Sequence, residues 1–322
     1  MKKNQLSSGI YRNLRINAFV VRFAVATVLL VYTYRMLDLS AVVGALVEAP
    51  TLMWAIVLPL YLMNTGIYVV RLRLLSDVPF SFWRAVRAVL LGNFFGLALP
   101  TGGGEAVKVL TLGELVGGKE RALALIVASR LVEMAVWCGL VTYAALAVLP
   151  PILPSLVPVA WLGALVLGCG AVVGVLGIKE RPALDAWVER IPYAGRFFVT
   201  TWRGYRNLRP SRVQWVALLC TTMLFAGVNS MAAWVVFDAM GAQIGYLTTL
   251  GLQPTLDLII SLPVTISGVG VREWVFAHAL PPFGVSLSVA VAMGYARFCG
   301  HLFRALIGGV LYAAGDTTWR GR

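Results

Sequence analysis

Apolar residues run through this chain in blocks, and polar residues gather between the blocks. Continuous apolar stretches near 17–37, 51–70, 122–149, 155–178, 213–238 and 286–313 predict six full transmembrane helices, since about 20 such residues cross a ~30 Å hydrocarbon core. Two further apolar regions, 88–116 and 248–280, are interrupted. The first breaks at Pro100-Thr101-Gly102-Gly103-Gly104 and the second between Pro263 and Gly270. Each leaves pieces of about 12 residues, ~18 Å long as helix, which reach the middle of a bilayer without crossing it. Such a region is either one irregular span or a re-entrant hairpin that returns to its own side.

Charge decides between these. The 322 residues are 59% hydrophobic and only 13% charged, against about 25% charged in soluble chains, which excludes an ordinary cytosolic enzyme. Lys and Arg nonetheless exceed Asp and Glu by 13. With both broken regions re-entrant, the cytoplasmic segments 1–15, 71–87, 117–121, 179–212 and 314–322 hold 20 of the 27 basic residues. The outer loops 38–50, 150–154, 239–247 and 281–285 hold none. A single crossing at 88–116 would put the eight basic residues of 179–212 outside, against the positive-inside bias. The expected fold is therefore an all-α polytopic membrane protein, a single integral membrane domain over 1–322. It has six spans, two opposed re-entrant helical hairpins and both termini cytoplasmic. Lys2, Lys3, Arg12 and Arg15 precede a retained first span, not a signal peptide. Cys138, Cys169, Cys220 and Cys299 stand singly in apolar runs and are expected to pack helices, with no disulfide framework and no metal site.

The two halves resemble each other. Asn64-Thr65 corresponds to Asn229-Ser230, Pro100 to Pro263, Glu105 to Glu273 and Arg130 to Arg297, at offsets of 165, 163, 168 and 167. Charge parity gives the halves opposite orientation, so this reads as an inverted-topology internal repeat, about 51–149 and about 213–313, of the kind secondary transporters use. The basic linker 179–212 mixes Trp187, Trp202 and Tyr205 with Arg190, Arg203 and Arg206. It reads as a surface-lying segment touching anionic headgroups or as a solvated loop; nucleic acid is not expected as a partner.

Seven basic residues fall outside the loops: Arg22, Arg35, Lys108, Arg130, Arg272, Arg297 and Arg304. Three of them, Arg22, Arg35 and Arg304, lie close enough to span ends to snorkel. Arg130 and Arg297 approach mid-bilayer, where a lone charge costs at least ~2.5–3.5 kcal/mol. Glu133 shares a helical face with Arg130 and makes either a structural pair or part of a site. Arg297, His301 and Arg304 share a face with no acid in their helix, which favours a polar cavity. Gly103 and Gly104 open one half-helix, and Gly268 and Gly270 the other. Glycine there exposes backbone N–H groups at a helix N-terminus to an anion, or simply lets hairpins pack closely. The expected substrate-contacting residues are Lys108, Arg130, Arg272, Arg297, these four glycines, Asn64 and Asn229; Glu105, Glu273, Glu133 and His301 are the gating or coupling set. Gly113–Lys119 nearly matches a P-loop, but Glu120 stands where Ser or Thr would ligate magnesium, so nucleotide binding is not expected there.

Asn93-x5-Leu99-Pro100-x3-Gly104-Glu105-x2-Lys108, Ser129-Arg130-Leu131-Val132-Glu133 and Leu262-Pro263-x3-Ser267-Gly268-x-Gly270-Val271-Arg272-Glu273 occur in that order. They resemble the lysylphosphatidylglycerol synthase transmembrane, flippase-like family over about residues 15–313. The resemblance implies a domain that moves lipid between leaflets, as in the multiple peptide resistance factors, where the cargo is aminoacylated phosphatidylglycerol. Lys108 stands where many relatives have Arg. No aminoacyl-transfer domain is expected after Arg322, so lysyl transfer is not expected of this chain. The expected function is movement of an anionic, phosphate-bearing lipid, phospholipid or polyprenyl-phosphate, across the inner or plasma membrane, without catalysis or cofactor. The alternatives are an ion-coupled carrier of a small anion, an intramembrane lipid-modifying enzyme using Glu105, Asp257, Glu273 and His301, and a scaffold for a lipid-synthesising partner enzyme.

Overall fold

The structure, a computed structural model, describes residues 39–98, 103–176, 199, 203–208, 210–261 and 270–314. The expected span 17–37, residues 99–102 at the first break, residues 262–269 at the second (Gly268 among them) and most of the basic linker lie outside the described residues. Those described form helices and turns with no strand: α1 (Leu39–Val47), α2 (Thr51–Leu75), α3 (Phe82–Ala98), α4 (Gly103–Val116), α5 (Lys119–Tyr143), α6 (Leu149–Ile152), α7 (Val157–Leu176), α8 (Arg212–Ala239), α9 (Tyr246–Ser261), α10 (Val271–Ala279) and α11 (Leu287–Ala313). A π-helical turn, Ala144–Val148, carries α5 into α6. Among the described residues four helical stretches are long and apolar enough to cross a membrane: Thr51–Leu75, Lys119–Ile152, Pro154–Val172 and Arg212–Ala239. α11 has the length, 27 residues, but carries Arg297, His301 and Arg304.

Helix α2 shows how such a helix is partitioned. Met53, Val57, Tyr61, Asn64, Tyr68, Leu72 and Leu75 are buried at steps of three or four, so one stripe faces protein. The other faces carry exposed Leu52, Ile56, Leu62 and Val70. Water would strip such faces together, whereas a bilayer solvates them. Pro154–Val172 goes furthest, with only 22% of its apolar window buried in protein. Polar residues sit on the protein side, because unsolvated amides and charges need partners that lipid cannot supply.

Two large apolar cores and a small one result among the described residues. One gathers Val57 and Tyr61 with Val141, Phe237, Leu252, Leu256 and Phe276. The other gathers Tyr68 and Leu72 with Leu112, Val116, Ala122, Leu125 and Leu218. On α2, α5 and α8 the polar residues fall between the two, at Asn64-Thr65, Ser129–Glu133 and Asn229-Ser230. The polar band therefore crosses the bundle near the middle of its long helices.

Close contacts set the directions of the chain. Gln214 Nε2 at the start of α8 donates to the Leu74 carbonyl at the end of α2 at 3.2 Å, and Arg71 lies over the Phe225 ring. Numbers fall along one helix as they rise along the other, so α2 and α8 are antiparallel. Ser211 and Gln214 exchange side-chain and backbone hydrogen bonds as a capping box that starts α8. Gly92 meets Lys108 while Gly96 meets Gly104, so α3 and α4 form an antiparallel hairpin. A Cβ on Gly104 would lie 2.5 Å from the Gly92 carbonyl oxygen and 2.7 Å from the Gly96 Cα; glycine is required by that approach. Gly308 meets the Leu90 backbone and Gly300 meets Tyr61, which seats α11 against both α3 and α2.

The turns sort to two ends. Asp77 pairs with Arg121 at 3.2 Å, and Tyr205 is buried with Leu75, Val116 and Leu218. That end carries Arg73, Arg84, Arg87, Lys119, Arg121, Arg203, Arg206 and Arg212. At the other end the Gln243 N–H donates to the Phe283 carbonyl at 2.9 Å, and Leu153, Ala242 and Ile244 share a cluster with Leu280. Segments 48–50, 150–156, 240–245 and 280–286 there hold no Lys or Arg.

Three expectations are revised. The segment 38–50, expected as a loop, contains α1, whose Val42 packs on Ala277, Val291 and Ala292. Arg71, counted as the first residue of a basic loop, lies inside α2 and is wholly buried. In the linker, Tyr205 does not lie on the surface: it is buried, and Gly204 abuts Ala124.

Candidate functional site

The intramembrane charges separate into two neighbouring groups. The first is a chain of ion pairs between α2, α4 and α5. Lys108 Nζ donates to Glu105 Oε1 at 3.1 Å, and Arg130 Nη2 reaches the same oxygen at 3.0 Å. Arg130 Nη1 also meets both Glu133 oxygens at 3.3 Å. On its far side Glu133 takes Nη1 and Nη2 of Arg71 at 3.3 Å each, and Arg71 Nη2 donates to the Ser129 carbonyl at 2.6 Å. Three cations thus share two carboxylates. The Tyr68 ring lies beneath both Arg71 and Lys108, adding a cation–π face to charges withdrawn from water.

The second group lines a cavity of about 450 Å³. Asn64 comes from α2, Asn229 from α8, Asp257 from α9, Arg272 from α10, and Arg297, His301 and Arg304 from α11. Gly96 and Leu97, at the end of α3, close the opposite wall. Helix spacing accounts for the α11 set: residues at i, i+4 and i+7 share one face. Arg297 Nη1 donates to Asp257 Oδ1 at 3.3 Å, and Asn229 Nδ2 donates to Asp257 Oδ2 at 3.2 Å. Arg304 Nη2 lies 2.7 Å from His301 Nδ1 and its guanidinium lies over Tyr61. Arg272 stacks on the Phe298 ring at 4.4 Å. Three arginines therefore face one carboxylate in this cavity.

Several buried polar atoms have no hydrogen-bond partner among the described residues, including Arg297 Nε and Nη2, Arg304 Nε, Asn64 Oδ1 and Glu105 Oε2. Leaving such groups unsatisfied costs about 1–3 kcal/mol each, more when charged. Of these residues Arg297, Arg304 and Asn64 line the cavity, and the two arginines leave buried donors without an acceptor.

Of the expected site residues, Asn64, Asn229, Arg272, Arg297 and His301 are brought together at the cavity. Lys108, Arg130, Glu105 and Glu133 instead form the ion-pair chain. Glu273 is occupied locally: its Oε2 accepts the Gly270 N–H at 2.7 Å, capping α10, with Gly270 at φ 85°. Gly104 serves the α3–α4 contact, and Gly103 begins α4. Two residues were missed. Arg71 was hidden by its position near a loop, although Asn64, Tyr68 and Arg71 at steps of four and three announce one polar face. Asp257, considered only for an enzymatic reading, is the sole acid of α9 and was the available counter-ion for Arg297.

Fold and site together define a multi-pass helical membrane protein with a cationic cavity between two helix pairs. The family of the lysylphosphatidylglycerol synthase TM region matches residues 19–308, and the chain belongs to that family, which is membrane-associated and linked to lipid handling. No curated protein matches the chain significantly.

Proposed function

We infer that the protein moves a phosphate-bearing anionic lipid between leaflets, passing the headgroup through the cavity while the tails remain in the bilayer. The observation that carries this reading is the cavity's charge: Arg272, Arg297 and Arg304 against Asp257 alone, with Arg297 donors unsatisfied. An ionised headgroup in bare hydrocarbon faces a Born cost of tens of kcal/mol. Guanidinium groups already held at mid-membrane replace the water that the headgroup leaves behind. About 450 Å³ lies within the range of ligand pockets and suits a headgroup without its chains.

The topology that fits this function has six spans and both termini in the cytoplasm, the basic end of the bundle facing the cytoplasm of a plasma or inner membrane. The α3–α4 and α9–α10 pairs are opposed re-entrant hairpins. As helices α4 and α10 measure ~21 and ~14 Å, short of a ~30 Å core. The halves, about 51–149 and about 213–313, form an inverted repeat joined by the linker 179–212; the antiparallel packing of α2 on its counterpart α8 supports this. Each half ties its hairpin to the following long helix by one arginine–carboxylate pair, Arg130–Glu105 and Arg297–Asp257. We assign Arg272 and Arg297 to the phosphate. Glu105 and Glu133 hold Lys108 and Arg130 as the movable side of the gate. The protein's part is transport, with no covalent step.

Native mass spectrometry of the purified protein tests the assignment. Wild type should retain a phosphate lipid through detergent exchange, and Arg272→Ala should retain much less. Equal retention, or retention of neutral lipids only, would contradict it.

A further inference from the structure

Arg297 is held in an unusual way. Its side chain is 5% exposed, and one carboxylate contacts it through Nη1 alone. The atoms left without a partner among the described residues, Nε and Nη2, form the side-on edge of the guanidinium, which presents two parallel N–H groups; the end-on edge is already engaged through Nη1 by Asp257. Asp257 is itself fixed: Oδ1 takes Arg297 and Oδ2 takes the Asn229 amide. Only the Nδ2 end of Asn229 can donate to a carboxylate, so the amide orientation follows from the contact. Tyr61, from a fourth helix, donates its hydroxyl to the Arg297 carbonyl at 3.1 Å and fixes the backbone behind the side chain.

Building on the function inferred above, we propose that Asp257 is a positioning residue. It holds Arg297 by Nη1, and Asn229 holds it, so that the Nε/Nη2 edge meets two non-bridging oxygens of a lipid phosphate as a two-point clamp. Two non-bridging oxygens are common to phosphodiester and phosphomonoester headgroups, whereas a carboxylate-only or neutral headgroup lacks that pair on phosphorus. The clamp explains why an acid stands in a cavity meant for an anion. A bare guanidinium on a long side chain would rotate and collapse onto the nearest carbonyl; the Asp257 contact stops that at the cost of some local negative charge. Asn229 and Arg297 are themselves landmarks of the second half, so the clamp belongs to the second half. In the first half Arg130 gives one nitrogen to Glu105 and the other to Glu133, and its side chain is 48% exposed.

The electrostatic and positional roles of Asp257 predict opposite signs. If Asp257 only offsets charge, removing it leaves a more positive cavity and tighter anion binding. If it positions Arg297, removing it weakens binding. The probe is dihexanoyl-phosphatidylglycerol, titrated against purified, monodisperse protein in detergent, with inorganic phosphate and a neutral diacylglycerol as comparison arms. Asp257→Ala should weaken the phosphatidylglycerol affinity about tenfold or more, the scale of a charge-assisted hydrogen bond. Asp257→Asn, which still accepts from Nη1, should lose less. Arg297→Lys keeps the charge without the fork and should lose as much as Asp257→Ala. Should Asp257→Ala fail to fold with Arg297 left unpaired, the Asn and Lys variants carry the same contrast. Affinity in Asp257→Ala or Asp257→Asn equal to or tighter than wild type overturns the proposal, as does Arg297→Lys binding like wild type. Absence of phosphatidylglycerol binding by wild type also overturns it. Leaflet exchange in proteoliposomes from the same preparations separates the two readings: binding with the expected variant order but no lipid movement leaves the clamp standing and removes the transport function. Inorganic phosphate binding as tightly as the lipid would point to a soluble anion as the cargo of the same clamp.

Discussion

At the scale of single residues, charge placed inside a membrane protein must be paired before it can serve anything else. Arg71 and Glu133 illustrate the constraint. Arg71 is wholly buried, and its guanidinium is held by one carboxylate, one carbonyl and two aromatic faces. Removing one member of such a pair leaves the other uncompensated, at a cost of about 3–5 kcal/mol. Arg71→Ala should therefore lower thermal stability in detergent sharply, and Arg71→Lys should recover only part of it, because an ammonium lacks the second nitrogen that Glu133 holds and the planar face set over Tyr68 and Phe225. A stable, well-folded Arg71→Ala protein would show that the pair is dispensable. Arg297 differs in degree: among the described residues Arg71 leaves Nε alone without a partner, whereas Arg297 leaves both Nε and Nη2, a whole edge. Sequence alone separates these roles poorly: it counts charges and spacings, while partners such as Asp257 lie 40 positions away.

At the scale of elements, the glycines distinguish packing from binding. Gly92, Gly96 and Gly104 let α3 and α4 approach until backbone meets backbone. Gly104→Ala places a methyl group against the Gly92 carbonyl and should cost about 1–3 kcal/mol through overpacking, read as a lower melting temperature in detergent. Gly44, which meets nothing within 4 Å of an added Cβ, is the matched control and should tolerate alanine. Equal melting temperatures for both variants would refute the close hairpin. The long apolar helices were readable from hydropathy because a bilayer imposes their length: 51–70, 122–149, 155–178 and 213–238 all reappear, shifted at their ends. Helix α1 was not readable. Its nine residues are too few for a span, and only contact with α10 and α11 explains their order. The division of the cations between an ion-pair chain and a cavity was equally hidden, because it depends on which face of each helix turns inward.

At the scale of the whole molecule, the turns separate into one basic and one neutral end, and a polar band lies between. Among the described residues, eight Lys and Arg stand at the first end and the turns at the second hold none. Cysteine labelling in a cysteine-free background tests the orientation. Glu120 and Pro282 are exposed, one at each end of the bundle. Glu120→Cys should react only from the cytoplasmic side and Pro282→Cys only from the opposite side. Same-side labelling would contradict the proposed topology.

Leaflet exchange of fluorescent phosphatidylglycerol in sealed proteoliposomes, followed by bleaching with a membrane-impermeant reductant, addresses transport most directly. Wild-type protein should expose nearly all of the label. Arg272→Ala should leave about the inner-leaflet half protected, as in empty vesicles, and Glu105→Ala, which frees Lys108 and Arg130 from their shared carboxylate, should slow exchange strongly. Protection of the inner half by wild type, or full bleaching by correctly folded Arg272→Ala and Glu105→Ala proteins at the wild-type rate, would contradict passage of the headgroup through this cavity.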